Sequence, residues 1–275
     1  MTLTSLMACL HLDRPDDAVL AVCRDLAAHF DATVIGVAAR QANMHLADRA
    51  AGPAEPHEHE LRKFRDWAES AEHSFRGAFP ATTNLRWRAQ LTFGPAVEFV
   101  AREARAADLL VISTEQRNHF MFPSGCAEPG DLLMRSGRPI LAVPRAAPGL
   151  KLGTALICWK DSREARRAVW DALPLLRAMD RVEAVEIAEP RRADDARESM
   201  AELAEWLRRH GIEANCSSEP PRSQEAAQLL DIARDRDADL IVAGAFGHSR
   251  LREWAFGGVT RDLVLSADRC VLASH

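Results

Sequence analysis

Short apolar runs alternate with helical periodicities along the whole chain. Leu6 to Leu10 is a continuous apolar run of strand length. Val19, Val22, Cys23, Leu26 and Phe30 then recur at the spacing of one helix face. Val34 to Ala38 reads as the next strand, Leu61 to Phe79 as a helix, Leu85 to Ala89 as extended and Ala96 to Ala106 as a helix. Leu109 to Ser113 and Ile140 to Val143 close the series as strands. After them the pattern starts again. Strands are expected at Ala155 to Trp159, Val182 to Ile187, Ile212 to Cys216, Leu240 to Ala243 and Cys270 to Ala273. Helices fall between them, notably Arg163 to Leu176 and Glu198 to His210, with Pro174 expected to end or kink the first. Strands that are apolar throughout, alternating with helices, imply a parallel sheet covered on both faces.

The second series is a copy of the first. Ala107-Asp108-Leu109-Leu110-Val111 matches Ala238-Asp239-Leu240-Ile241-Val242 at an offset of 131 residues. Asp131-Leu132-Leu133 matches Asp262-Leu263-Val264, and Arg138-Pro139-Ile140-Leu141-Ala142 matches Arg269-Cys270-Val271-Leu272-Ala273, at the same offset. One offset across three blocks marks an internal duplication. Near the start, Cys9 aligns with Cys158 at a larger offset of 149, so the first half carries an insertion. Its place is Gln41 to Glu60, read as a surface excursion ahead of a helix. Arg145 to Gly149 is turn-rich and sets the expected seam, giving domains 1–147 and 148–275. The expected fold class is α/β, with two tandem five-stranded parallel-sheet domains.

Composition adds exclusions. Of the 275 residues, 47% are hydrophobic and 27% charged, which is ordinary for a folded globular chain and unlike a disordered one. The net charge of −5 argues against a general nucleic-acid binder, whose surface must meet phosphates. No apolar run approaches ~18 residues, and Met1 to His11 reads as a first strand rather than a leader. Six cysteines lie scattered with no C-x-x-C pair, as expected of reduced thiols in a cytoplasmic protein.

Ligands on such sheets bind beyond the carboxyl ends of the strands. After Leu240 to Ala243 come Gly244, Gly247 and His248, then Gly257, Gly258, Val259 and Thr260, in the spacing G-x2-G-x9-G. Glycines let backbone amides approach an anion, and a helix opening at Val259 favours a phosphate at its N-terminus. Thr260 adds a hydroxyl, and His248 reads equally as a phosphate contact or a turn cap. Lys160 and Asp161 follow the first strand of this half, where a lysine can meet a phosphate as a point charge.

With Gly244, Gly247, Gly257, the closing strand Arg269 to Ala273, the opening Leu156 to Ala165 and the tandem arrangement, the chain resembles the universal stress protein family. The resemblance implies a five-stranded, adenine-nucleotide-binding α/β fold that is often dimeric, in which some members bind ATP and others do not. It implies that Gly244, Gly247 and Gly257 are phosphate-loop positions, that an acidic residue near the end of the first strand contacts the ribose, and that backbone at the end of the second receives adenine. The sequence departs from that pattern at Gly258, where binders carry Ser or Thr, and at Lys160, which stands at the acidic position with Asp161 beside it. In the first half Ser113, Cys126 and Ala127 replace the matching glycines, Pro129 replaces Thr260 and His11-Leu12 replaces Lys160-Asp161. That half is expected to be structurally paired and unable to hold a nucleotide.

Other constellations read as ordinary. His57-Glu58-His59-Glu60 lacks helical i, i+4 ligand spacing and reads as a solvated loop rather than a metal site. Cys126 has no base or cation beside it. No nucleophile elbow or Walker motif is present. The expectation is therefore a cytoplasmic nucleotide-binding regulatory module rather than an enzyme, with ATP or another adenine nucleotide, with or without magnesium, in its second half. The rivals are a dimerising interaction scaffold that binds no nucleotide, and a slow nucleotide hydrolase.

Overall fold

The computed structural model of the chain describes residues 2–42, 55–114, 129–245 and 258–275. They form two compact units, Leu3–Arg138 and Pro139–His275 with Met1–Thr2. The first unit carries β1 (Ser5–Leu10), α1 (Asp17–Phe30), β2 (Thr33–Gln41), α2 (Glu55–Gly77), β3 (Leu85–Thr92), α3 (Ala96–Glu103), β4 (Leu109–Thr114) and α4 (Pro129–Ser136). Its strands lie in the order β3-β2-β1-β4, all parallel.

The second unit carries β5 (Ile140–Pro144), β6 (Thr154–Trp159), α5 (Arg163–Ala178), β7 (Arg181–Ile187), α6 (Ala193–Arg209), β8 (Ala214–Glu219), α7 (Glu225–Asp235), β9 (Leu240–Gly244), α8 (Gly258–Ser266) and β10 (Cys270–Ser274). Five of its strands, β10-β9-β6-β7-β8, form a parallel sheet. The α/β class and the mostly parallel sheets are as the sequence pattern implies. The strand cores, such as Leu109 to Val111 and Leu240 to Val242, are almost wholly buried.

The structure departs from the sequence reading in several places. The strand at Ile140–Pro144 pairs antiparallel with β10, through Ala142 opposite Val271 and Ile140 opposite Ala273, a partnership the sequence pattern did not foresee. The compact division falls just before β5. Helix α2 begins at Glu55 rather than Leu61, so His57 to Glu60 lie on a helix and not in a loop. Pro56 stands at its second position, where a missing N–H costs nothing, and acidic residues follow it. Pro174 does not end α5, which continues to Ala178. Asp194 and Asp195 stand exposed in the first turn of α6, where carboxylates favour the helix dipole.

The repeated aspartates have a structural reason. Asp108 Oδ2 accepts the backbone N–H groups of Thr4 and Ser5 at 2.9 and 3.0 Å and their hydroxyls at 2.8 and 3.2 Å. Its counterpart Asp239 accepts the Thr154 N–H at 2.9 Å. Each ties the start of one strand to the start of its neighbour. Burial acts to raise the Asp108 pKa, but the four bonds from Thr4 and Ser5 outweigh it and hold the carboxyl below its ordinary value. The stability it supplies is thus present above the usual carboxylate range and is lost as pH falls through the lowered value. Asp108→Asn is expected to cost about 1 kcal/mol at neutral pH and to flatten the acid limb of the stability curve, read by urea titration across pH.

Cys9, Cys23, Cys158, Cys216 and Cys270 carry free thiols. Burial pushes the thiols of Cys9, Cys158 and Cys270 up to about 12, so they are packing groups rather than nucleophiles. Among the described residues no helix is long and apolar enough to cross a membrane.

Candidate functional site

The carboxyl ends of β6, β7 and β9 lie side by side in the second unit. The register places Cys158 opposite Ala243 and Trp159 opposite Glu186. Lys160 and Asp161 leave β6 at this edge, and both are exposed. The Asp161 carboxylate accepts from Arg166 at 2.8 Å, a solvent-exposed pair that holds the side chain over the first turns of α5. Ser162 caps α5 by accepting the Ala165 N–H at 3.2 Å.

Gly244 ends β9 against that same helix start. A Cβ at this position would lie 2.4 Å from the Ala165 nitrogen and 2.5 Å from the Glu164 carbonyl carbon. Both are backbone atoms, so glycine is required by the close approach of α5 to β9, not by a positive φ. Thr260, on the first turn of α8, donates its hydroxyl to the Gly244 carbonyl at 2.7 Å and is buried. The sequence reading gave that hydroxyl to a ligand. In the structure its single hydrogen is committed to tethering α8 to β9. Gly258 opens α8, is exposed and has no atom within 4 Å of a built Cβ. Val259 beside it is half-buried. Gly247, His248, Gly257 and Cys126 lie outside the described residues.

One residue at this edge escaped the sequence reading. Glu186, near the end of β7, is 5% exposed, and among the described residues its Oε2 is the only buried side-chain polar atom without a hydrogen-bond partner. Burial raises its pKa. The Arg192 and Lys160 cations act against that rise and the Asp161 carboxylate adds to it, and the balance stays above the ordinary value. Trp159, its register partner, donates its indole N–H to Ser199 of α6 at 2.8 Å. The strand end thus brings together two cations and two carboxylates, one of them buried. Among the described residues no three His, Cys, Asp or Glu side chains stand close enough to hold a metal ion.

The profile of the universal stress protein family matches residues 153–275, which include every one of these positions. Residues 153–275 belong to the universal stress protein family. The likeness in fold reaches further than this match. A universal stress protein from Archaeoglobus fulgidus DSM 4304 superposes with a TM-score of 0.73 at 12% identity, over 98% of this chain and 97% of that one. A putative universal stress protein from Pseudomonas aeruginosa UCBPP-PA14 gives 0.59 at 15% identity, over 99% and 93%. At these identities the likeness speaks for the fold alone. Comparison with curated proteins found no match. Of the positions the resemblance singled out in this universal stress protein domain, Lys160, Asp161, Gly244, Gly258, Val259 and Thr260 lie among the described residues.

Proposed function

We propose that the second unit binds an adenine nucleotide at the edge formed by β6, β7 and β9, as a regulatory, stress-response module of the reducing cytoplasm. The observation that carries this reading is the open first turn of α8. Gly258 is the exposed first residue of α8, a Cβ built there meets no described atom within 4 Å, and Thr260 ties this helix start to the end of β9. Lys160 supplies a solvent-exposed cation at the end of β6. These residues fit a phosphate group, which the nucleotide would bring. The chain's own part is to orient and neutralise that group, with Gly244 and Thr260 holding α8 and α5 in place. A binding role rather than a catalytic one is supported by the carboxylates at hand. Asp161 is tied to Arg166, and the Glu186 Oε2 is buried, so neither is placed to activate water.

The test is a titration with ATP, ADP and AMP, with and without magnesium, followed through Trp159 fluorescence and calorimetry. Lys160→Ala is expected to weaken binding about tenfold, the loss of one charge-assisted contact. Gly258→Ser restores the hydroxyl that nucleotide-binding relatives place there, meets no steric obstacle, and is expected to tighten binding about fivefold. Indifference of the affinity to both substitutions would place the ligand elsewhere. A second reading, an interaction scaffold without nucleotide, is favoured by one observation: Gly244 and Thr260 are both explained by packing. A flat titration with every nucleotide would establish it over the first.

A further inference from the structure

In the first unit, the loop from β1 to α1 and one face of α2 line an open pocket of about 350 Å³. Trp67, Ser70 and Ser74 form the helical wall, at a spacing that puts them on one face. His11, Asp13, Arg14 and Asp16 form the loop wall. The cavity opens at the carboxyl end of a parallel strand, where α/β sheets take ligands.

The loop wall is built as a relay. Asp16, whose side chain is 4% exposed, accepts the His11 backbone N–H with Oδ2 at 2.5 Å and the His11 ring with Oδ1 at 2.8 Å. Arginine has donors only, so the Arg14 guanidinium donates to His11 Nε2, and Nδ1 carries the ring hydrogen toward Asp16. The buried carboxylate fixes the imidazole, and the imidazole fixes the guanidinium at the cavity. Both Asp16 oxygens are thereby engaged. Against the Trp67 ring of the helical wall, the Arg40 guanidinium of β2 stands 4.5 Å and the Lys63 ammonium 4.6 Å from the centroid. Arg14 thus lines the pocket with Asp13 and the engaged Asp16, the charged groups among its described lining residues, and Arg40 and Lys63 stand beside its Trp67 wall.

We propose that this cavity is a second ligand site, independent of the one in the second unit, and that it takes a small phosphomonoester of a sugar or polyol. Arg14 meets the phosphate, an interaction for which a positioned guanidinium is suited. Ser70 and Ser74 meet hydroxyls, and the indole edge of Trp67 packs on the carbon skeleton. The volume accommodates a pentose phosphate and lies at the small end of ligand pockets.

The full-length chain is titrated with ribose 5-phosphate at low ionic strength by calorimetry and fluorescence, with ribose as the neutral control. Saturable binding is expected for the phosphate ester and none for ribose. Arg14→Gln is expected to weaken it at least tenfold. Ser70→Asp, at an exposed helix position that leaves the fold intact, is expected to do the same by repulsion at the cavity. Trp67→Phe removes the fluorescence change while calorimetry still reports binding. Lys160→Ala leaves the affinity as it was, which separates this site from the nucleotide site. Absence of saturable binding overturns the proposal, and so does binding lost in Lys160→Ala. If Arg14→Gln fails to fold, as judged by circular dichroism, Ser70→Asp decides: unchanged affinity there overturns the site.

Discussion

Gly244→Ala is expected to destabilise the second unit by about 3 kcal/mol, at the upper end of the cost of inserting one methyl group into a packed site. The added carbon would stand 2.4 Å from a backbone nitrogen and 2.5 Å from a backbone carbonyl carbon of α5. Side-chain rotation cannot relieve a clash with main chain, so α5 must lift from β9 or β9 must bend. Either movement disturbs the Ser162 cap and the Thr260 tether at once. Gly258→Ala is the matched control, because the same methyl there meets no atom of the described residues within 4 Å. Urea unfolding followed through Trp159, Trp170 and Trp206, all in the second unit, reads the difference. Equal midpoints for the two variants would show that Gly244 is not held by this approach.

Glu186→Met is expected to act in the opposite sense, raising stability at neutral pH by about 2 kcal/mol, the cost of a buried polar group left unpaired. The unbranched thioether fits the volume without asking for a partner. The sign with pH follows from the raised pKa of the carboxyl. Below the ordinary carboxylate range the group is protonated in the folded and unfolded states alike, and its charge costs nothing. As pH rises from the ordinary value through the raised one, the unfolded chain ionises freely while the folded chain holds its proton or buries a charge. Wild-type stability therefore falls across that window and then levels, whereas the methionine variant shows no such fall. Chemical denaturation from about pH 4 to about pH 8 checks it, and parallel curves for the two proteins would remove the penalty assigned to Glu186.

The duplicated architecture was legible because its blocks do the same physical job twice. Ala-Asp-Leu at residues 107–109 and again at 238–240 places an aspartate that ties two strand starts together, followed by an apolar strand. Element types followed from periodicity, and Lys160 and Asp161 emerged where the strand pattern ended. What the pattern could not carry was direction and partnership. Ile140 to Val143 is apolar at every position, and such a run says nothing about whether its neighbour runs parallel or antiparallel. Thr260 was legible as a hydroxyl near the site, but not the carbonyl to which that hydroxyl turns. Glu183 and Glu186 both interrupt the same strand, three residues apart and so on opposite faces. One meets Arg236 at 2.9 Å and the other meets no partner, a difference set by helices distant in sequence.

The antiparallel pairing of β5 with β10 determines how this chain can be divided. A fragment cut at the turn after Arg145 would leave behind the strand that covers one side of β10, and its bare main-chain N–H and C=O groups would recruit another copy. A fragment starting at Pro139 keeps its own cover. A cut at the linker between the repeats thus separates β10 from its antiparallel cover, whereas a cut before Pro139 keeps the pair together.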